Sequence, residues 1–341
     1  MSGSMNGPRS SEDQLIERIA RSVPSERGAR KGDLLLGIGD DAAILGPTGN
    51  QAWVLSCDAF IEGIHFRVKT HPPEAVGYKA LARAASDLAA MGATPRLFFL
   101  TLALPASRTG PWLDAFLSGM ARAARLLKMR LAGGDTTKSA TVAASLTVLG
   151  RVDPRLAARR SGAHPGDRIY VSGTLGRAQL GLELVLAGHA RRQRLAALVK
   201  PHLYPRVRTE LGVWLARNRV ASAMIDLSDS LSTDLTRLAQ TSRVGARVMI
   251  GQIPAVTVPQ SVSMLLPARH LDPVRMALHA GDDYELLFTV PAQREKLLRA
   301  APGFRELTCI GEITRTRHLL LVDTRGKSRP LQPLGWDPFR R

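Results

Sequence analysis

The chain has 341 residues, 45% of them hydrophobic, which is enough for one large or two ordinary domains and excludes a disordered or fibrous protein. Its 47 Lys and Arg outnumber 29 Asp and Glu, for a formal net charge of +18, and its two cysteines, Cys57 and Cys309, belong to no CxxC pattern that would indicate a disulfide framework or a zinc site. No apolar run approaches the roughly 20 residues of a membrane span, and Met1 to Ser10 lacks the apolar core of a signal peptide, so the expected setting is the cytoplasm.

In chain order, residues 1–10, rich in Ser and Gly, read as a flexible tail. A helix is predicted over Glu12 to Arg21, capped by Ser10 or Ser11, with Leu15, Ile16 and Ile19 on one face. Leu34-Leu35-Leu36 then runs into Gly37-Ile38-Gly39-Asp40-Asp41-Ala42, which reads as strand, tight turn and a second strand ending at Leu45. A strand Trp53 to Ser56 ends on Cys57-Asp58, and a polar loop follows with His65, a lone histidine of the kind that is usually structural. Pro72-Pro73 starts a helix to about Met91 on which Asp87 shares a face with Ala80, Ala84 and Met91. A carboxylate there needs a partner, either Arg83 one turn earlier or a metal ion in a cleft.

Leu97 to Leu104 suits a buried strand, Trp112 to Leu127 a helix, and Met129 to Ala132 a strand leading into Gly133-Gly134-Asp135-Thr136-Thr137. Paired glycines before an Asp let a phosphate approach the backbone while the carboxylate holds Mg²⁺, although a lone motif of this kind more often marks a tight turn. A strand Thr141 to Val152 closes the first half, and the turn-rich stretch from Asp153-Pro154 to Pro165-Gly166-Asp167 is the predicted boundary, giving domains over 11–152 and 153–341. In the second half a strand Arg168 to Ser172 and a helix Arg177 to Leu186 precede a basic loop, Gly188 to Arg194. A helix Val207 to Arg217 and a strand Ala221 to Ile225 deliver Asp226-Leu227-Ser228-Asp229 to a helix Ser230 to Gln240. One such group would cap that helix, but the segment offers three. A helix from Asp272-Pro273 to His279, the turn Gly281-Asp282-Asp283-Tyr284-Glu285 and a strand Leu286 to Val290 lead to Gly335-Trp336-Asp337-Pro338-Phe339.

Acidic motifs thus recur through a basic chain, and two carboxylates about 4 Å apart repel by roughly 4 kcal/mol at an effective dielectric near 20, so a convergent cluster needs metal ions or protons between them. Mg²⁺ takes one or two carboxylates plus substrate phosphates, which makes phosphoryl transfer the chemistry these residues suit. The chain has no P-loop, no protein-kinase motif set and no GxSxG elbow. Its arginines, at 155 to 160, 191 to 194, 315 to 317 and 340 to 341, have few aromatics between them, so they read as a solvated surface without a specific nucleic-acid partner.

Jointly, Gly37-Ile-Gly-Asp-Asp41, Asp58 with Gly63-Ile-His65-Phe66, Lys79-Ala-Leu81 through Ser86-Asp-Leu-Ala-Ala-Met-Gly92, Gly133-Gly-Asp-Thr136, Arg160-Ser-Gly162 with Pro165-Gly-Asp167, Asp226-Leu-Ser-Asp229 and Asp283-Tyr-Glu285 resemble the thiamine-monophosphate kinases. These belong to the aminoimidazole-ribotide synthetase, or PurM-like, superfamily. The resemblance implies a two-domain α/β fold that dimerises through N-terminal sheets, with ATP near the interface. The implied reaction is ATP- and Mg²⁺-dependent phosphoryl transfer to thiamine monophosphate, giving thiamine diphosphate and ADP. On this resemblance Asp41, Asp58, Asp87, Asp135, Asp226 and Asp229 would hold more than one Mg²⁺, with Ser56 and Cys57 adding oxygen ligands. Gly134, Asp135, Arg160 and Ser228 would hold ATP, while His65, Asp87, Asp282 and Trp336 would contact the thiamine phosphate. No dedicated general base is expected, because a phosphate monoester is already largely ionised at neutral pH. Cys57, Asp282 and Ser230 depart from the threonine, glutamate and glycine usual in the family. The rival readings are a superfamily member with another acceptor and, from another class, a basic nucleic-acid-binding protein.

Overall fold

Along Ala143–Val152 every second residue is buried, the period of a strand with one covered and one open face. The computed structural model in which this is seen describes residues 11–22, 34–300 and 305–339; the tail expected over residues 1–10 and the terminal Arg340-Arg341 lie outside the described residues. Strands β1 (Leu34–Leu36), β2 (Ala43–Thr48), β3 (Gln51–Ile61), β4 (Thr94–Leu104), β5 (Arg130–Lys138) and β6 (Ala143–Val152) form one sheet in the order β1-β2-β3-β6-β4-β5. Its neighbours are antiparallel except β4 and β5. Helices α1 (Glu12–Ser22), α2 (Pro73–Ala90) and α3 (Pro111–Leu127) belong to this half.

The second sheet holds β7 (Arg168–Ser172), β8 (Ala223–Asp226), β9 (Gly245–Met249), β10 (Leu286–Val290), β11 (Leu307–Thr314), β12 (Leu319–Val322) and β13 (Ser328–Pro330). Their order is β13-β12-β9-β11-β7-β10-β8, with β9 and β12 parallel. The accompanying helices are α4 (Arg177–Leu186), α5 (Ala196–Leu203), α6 (Thr209–Arg217), α7 (Leu231–Ser242), α8 (Gln260–Ser263), α9 (Pro273–His279) and α10 (Glu295–Ala300). Among the described residues no helix is long and apolar enough to cross a membrane.

Helix α2 joins the two halves. Its alanines let other backbones approach: a Cβ on Gly119 of α3 would stand 1.8 Å from the Glu74 carbonyl oxygen, and one on Gly212 of α6 would stand 2.0 Å from that of Ala89. Ala84, Ala85 and Leu88 pack into the first core with Phe98 and Leu146, whereas Ala89 and Ala90 pack with Leu215, Met224 and Phe288 of the second half. A nearly all-buried helix therefore carries whatever polar side chains it has toward the junction of the halves.

Several elements differ from their expected bounds. The strand expected to stop at Ser56 runs on to Ile61, because Ser56 and Asp58 lie on its covered face and Cys57 on the open one, as the two-residue period requires. The glycine turn expected after Ala132 is instead strand, since β5 continues through Lys138. Gly134 is there for approach, not for turning: a Cβ would meet the Leu100 carbonyl oxygen of β4 at 1.8 Å. Helix α5 was not foreseen behind the basic loop, where Pro201 in its last turn masks the apolar run Ala196 to Val199. Ser11 does cap α1, its Oγ accepting from the Gln14 amide while Gln14 Oε1 accepts from the Ser11 amide, yet Ile16 and Ile19 stay exposed.

Candidate functional site

Three element ends deliver carboxylates to one point at the junction. Asp41 follows the turn after β1, Asp87 projects from α2 and Asp226 is the last residue of β8. One oxygen from each lies within 4.8 Å of the others. Asp41 and Asp226 are buried, and the Oδ2 atom of each has no hydrogen-bond partner. Arg160 Nη2 donates to Asp41 Oδ1 at 2.8 Å, and Ser56 Oγ donates to Asp87 Oδ2. Burial, then the charges of Asp58, Asp226 and Asp41, push the Asp87 carboxyl well above the usual range; burial and then Asp41 do the same to Asp226. Burial and then Asp41 push Asp40 up to about 7, against Arg160, whose amide donates to it at 3.1 Å. Three convergent carboxylates, two with an orphaned oxygen and only Asp41 among them met by a cation, fit a divalent cation such as Mg²⁺.

This arrangement sets a pH dependence. Folded values raised above unfolded ones favour the fold most below the unfolded carboxylate range, and that contribution is lost as pH rises through about 7 for Asp40. In chelator-treated protein the melting temperature should therefore fall between pH 5 and pH 8, and Mg²⁺ should restore several degrees at pH 8 but little at pH 5. Equal Mg²⁺ shifts at both values in a fluorimetric melt would remove the cation site.

The cluster opens on a cavity of about 980 Å³ lined from both halves. Every residue assigned from the family resemblance lines it except Gly134 and Asp135. Across the first sheet Ala59 pairs with Ser145, Ser145 with Thr101, and Thr101 with Asp135. Three strand spacings put Asp135 about 14 Å from the β3 backbone. Its row-mates Ala59 and Thr101 are exposed, on the face opposite Asp58. One chain therefore does not bring Asp135 to Asp41. All of β5 is exposed.

The proposed partner of Asp87 also differs. Arg83 Nε donates instead to Asp58 Oδ2 at 3.1 Å, because Asp58 faces α2 from β3. Cys57 turns its thiol to the open face, 3.5 Å from the Ser145 and Thr147 hydroxyls, so only its main chain is available to the cavity. Asp229 bonds Arg237, which also meets Asp234 at 3.2 Å and Asp13 of α1 at 3.4 Å. The α7 cap is Ser230, whose Oγ accepts from the Thr233 amide at 3.1 Å. Ser230 has φ 155° and ψ 162°, backbone that glycine adopts freely and other residues rarely do.

Also on the cavity wall, His65 Nδ1 accepts from the Ile61 amide at 2.9 Å, which leaves the proton on Nε2. Burial, then Arg83, lowers His65 to about 4, so it is a neutral donor at pH 7. Trp336 is half exposed, its amide bonded to the Asp229 carbonyl at 3.1 Å. Asp282 accepts from Lys79 Nζ at 2.7 Å and from the Tyr284 hydroxyl at 2.7 Å. Asp283, in contrast, accepts from the Gly176 and Ala178 amides and holds the start of α4. Sequence reasoning assigned no role to Lys79, Asp40 or His202, and gave Arg83 only the ion pair with Asp87. The four-residue spacing of Lys79, Arg83 and Asp87 was the available signal for the first two.

The family AIR synthase related protein, N-terminal domain, matches residues 39–152, and AIR synthase related protein, C-terminal domain, matches residues 164–323. A thiamine-monophosphate kinase from Salmonella typhimurium is 39% identical over 303 residues, spanning 87% of this chain and 89% of that protein. One from Escherichia coli K12 is 38% identical over 331 residues, spanning 94% and 97%. Among solved structures, AaThiL complexed with AMPPCP and TMP is similar with a TM-score of 0.82 at 30% identity, covering 98% of this chain and 99% of that one. Hydrogenase Maturation Protein HypE, at 24% identity and a TM-score of 0.66, shares the fold alone.

Proposed function

The chain belongs to the thiamine-monophosphate kinase family, with the two-domain α/β fold of the AIR synthase related proteins, and on that premise we propose that it transfers a phosphoryl group from ATP to thiamine monophosphate, giving thiamine diphosphate and ADP. The observation that carries the reading is the convergence of Asp41, Asp87 and Asp226 within 4.8 Å, with two orphaned oxygens, at the wall of a cavity large enough for two small-molecule substrates. We place this cavity between a domain of residues 11–152 and one of residues 153–341.

Asp41, Asp87 and Asp226, with Asp58, Asp229, Ser56 and the Cys57 main chain around them, would hold Mg²⁺. Bound there, Mg²⁺ would neutralise phosphate charge and align the two phosphates. Arg160 braces Asp41 through its guanidinium and Asp40 through its amide, so it fixes the direction in which the acidic turn faces. Ser228 and Arg160 line the cavity, and we assign them to ATP. His65, Asp282 and Trp336 also line it, and we assign them to the thiamine group. Neutral His65 offers a hydrogen bond without adding charge. Asp282 offers a negative charge to a cationic ring.

Gly134 and Asp135 enter the proposal through a second copy. An edge strand of nine exposed residues, Leu131 among them, is a surface for pairing, and with Phe99 exposed on the neighbouring β4 we propose that the first sheet is a homodimer interface. A homodimer would set β5 against another chain, where Gly134 and Asp135 would meet the nucleotide. A monomeric mass by light scattering would count against this part alone.

The reaction is tested with purified protein, ATP, Mg²⁺ and thiamine monophosphate, separating the thiamine species by chromatography. Equal amounts of thiamine diphosphate and ADP, abolished by chelator, are expected. ATP binding without thiamine diphosphate would move the acceptor to another compound and put Asp282, where the family usually has glutamate, first in question.

A further inference from the structure

Helix α2 carries Lys79, Arg83 and Asp87 at four-residue spacing among its alanines, so the three leave one face of the helix. Lys79 meets Asp282, assigned above to the acceptor, and Asp87 enters the carboxylate cluster. Arg83 stands between them, about 6 Å along the helix axis from each. Its Nε donates to Asp58 Oδ2 at 3.1 Å, and its guanidinium carbon lies over the Phe60 ring, 5.6 Å from the centroid. These two contacts fix the plane of the group. Among the described residues no acceptor meets either terminal nitrogen, and the side chain lines the cavity.

The other arginines at this cavity are differently disposed. Arg160 is committed to Asp41, and Arg237 to Asp229, Asp234 and the acids of α1, while Arg67 stands exposed on the loop after Phe66. We infer that Arg83 binds the phosphate of the acceptor through its two terminal nitrogens, and that it makes the site select a phosphorylated acceptor over the free alcohol. A planar guanidinium matches two phosphate oxygens at once. A phosphate arriving beside Asp58 and Asp87 also needs a fixed positive charge on the acceptor side. Arg83 supplies it one helical turn from the metal-binding carboxylate.

The inference rests on the kinase reading above, and its test separates the two. Calorimetry with Mg²⁺ present compares thiamine monophosphate with thiamine as ligands of the wild type, Arg83→Met, Arg83→Lys and Arg67→Met. Arg83→Met should weaken thiamine monophosphate about 10- to 100-fold and leave thiamine unchanged, as expected for loss of a charge-assisted pair. Arg83→Lys should recover part of the loss, since it restores charge without the fork. The Lys variant also keeps the test readable should the Met variant not fold. Equal weakening of both ligands would make Arg83 a mere prop for the pocket and overturn the inference, as would loss of discrimination in Arg67→Met instead. Wild-type turnover is measured beside these. An inactive wild type removes the kinase reading and this inference with it; an active one whose Arg83→Met variant keeps the full wild-type preference for the phosphorylated ligand removes this inference alone.

Discussion

Asp87→Asn is expected to lower turnover by about 10³-fold while raising the melting temperature of the metal-free protein. The two effects have one cause. Asp87 is one of three carboxylates held within 4.8 Å, and burial together with Asp58, Asp226 and Asp41 already disfavours its charge. Asparagine keeps the shape and still accepts from Ser56 Oγ, but it removes a repelling charge and with it the anionic ligand proposed for the metal. A carboxylate present only for structure would behave oppositely, because losing it would cost stability and spare the reaction. Undiminished activity of the variant at limiting Mg²⁺, or a lowered metal-free melting temperature, would therefore end the assignment of Asp87 to the cation site.

What the chain disclosed in advance follows from which signals are local. Glycine turns, proline helix starts and apolar periods are local, so Pro73–Ala90, Leu286–Val290 and the acidic turn at Asp40-Asp41 were legible. The continuation of β3 through Asp58 was not, because a carboxylate inside a strand is tolerable only when another element answers it, here Arg83 from α2. The glycines of β5 failed for the same reason. Their role is the close passage of β4, which is a neighbour known only from the fold. The site residues could be enumerated from their motifs, but not their pairing. Ion-pair choice among Asp58, Asp87 and Asp282 depends on how β3 and the turn before β10 meet α2, and only β3 is near it in sequence.

Lys79→Met should show how far that pairing governs acceptor binding. Lys79 Nζ is buried, 2.7 Å from Asp282 Oδ2 and 3.2 Å from His202 Nδ1. His202 Nδ1 accepts from the ammonium, so its Nε2 donates to His71 Nε2 at 3.1 Å. Burial, then Lys79, brings His71 down to about 4 and His202 well below its usual value, so both rings are neutral at pH 7. Burial would raise the Asp282 carboxyl, but Lys79 and then His202 hold it below the usual range. Lys79 is thus the countercharge that keeps Asp282 ionised. Asp282 itself has φ 69° and Tyr284 φ 50°, left-handed backbone that costs each residue on the order of 1 kcal/mol, so the turn persists through contacts such as this one. Removing the ammonium should destabilise the fold by about 2 to 3 kcal/mol and raise the KM for the acceptor more than tenfold, with a smaller effect on kcat. In Lys79→Met with Asp282→Asn the uncompensated charge is gone, so stability should largely return, while acceptor affinity should not if Asp282 meets the acceptor as proposed. Single and double variants that melt alike in a denaturant series would show the two residues uncoupled, and Asp282 would then owe its position to the turn alone.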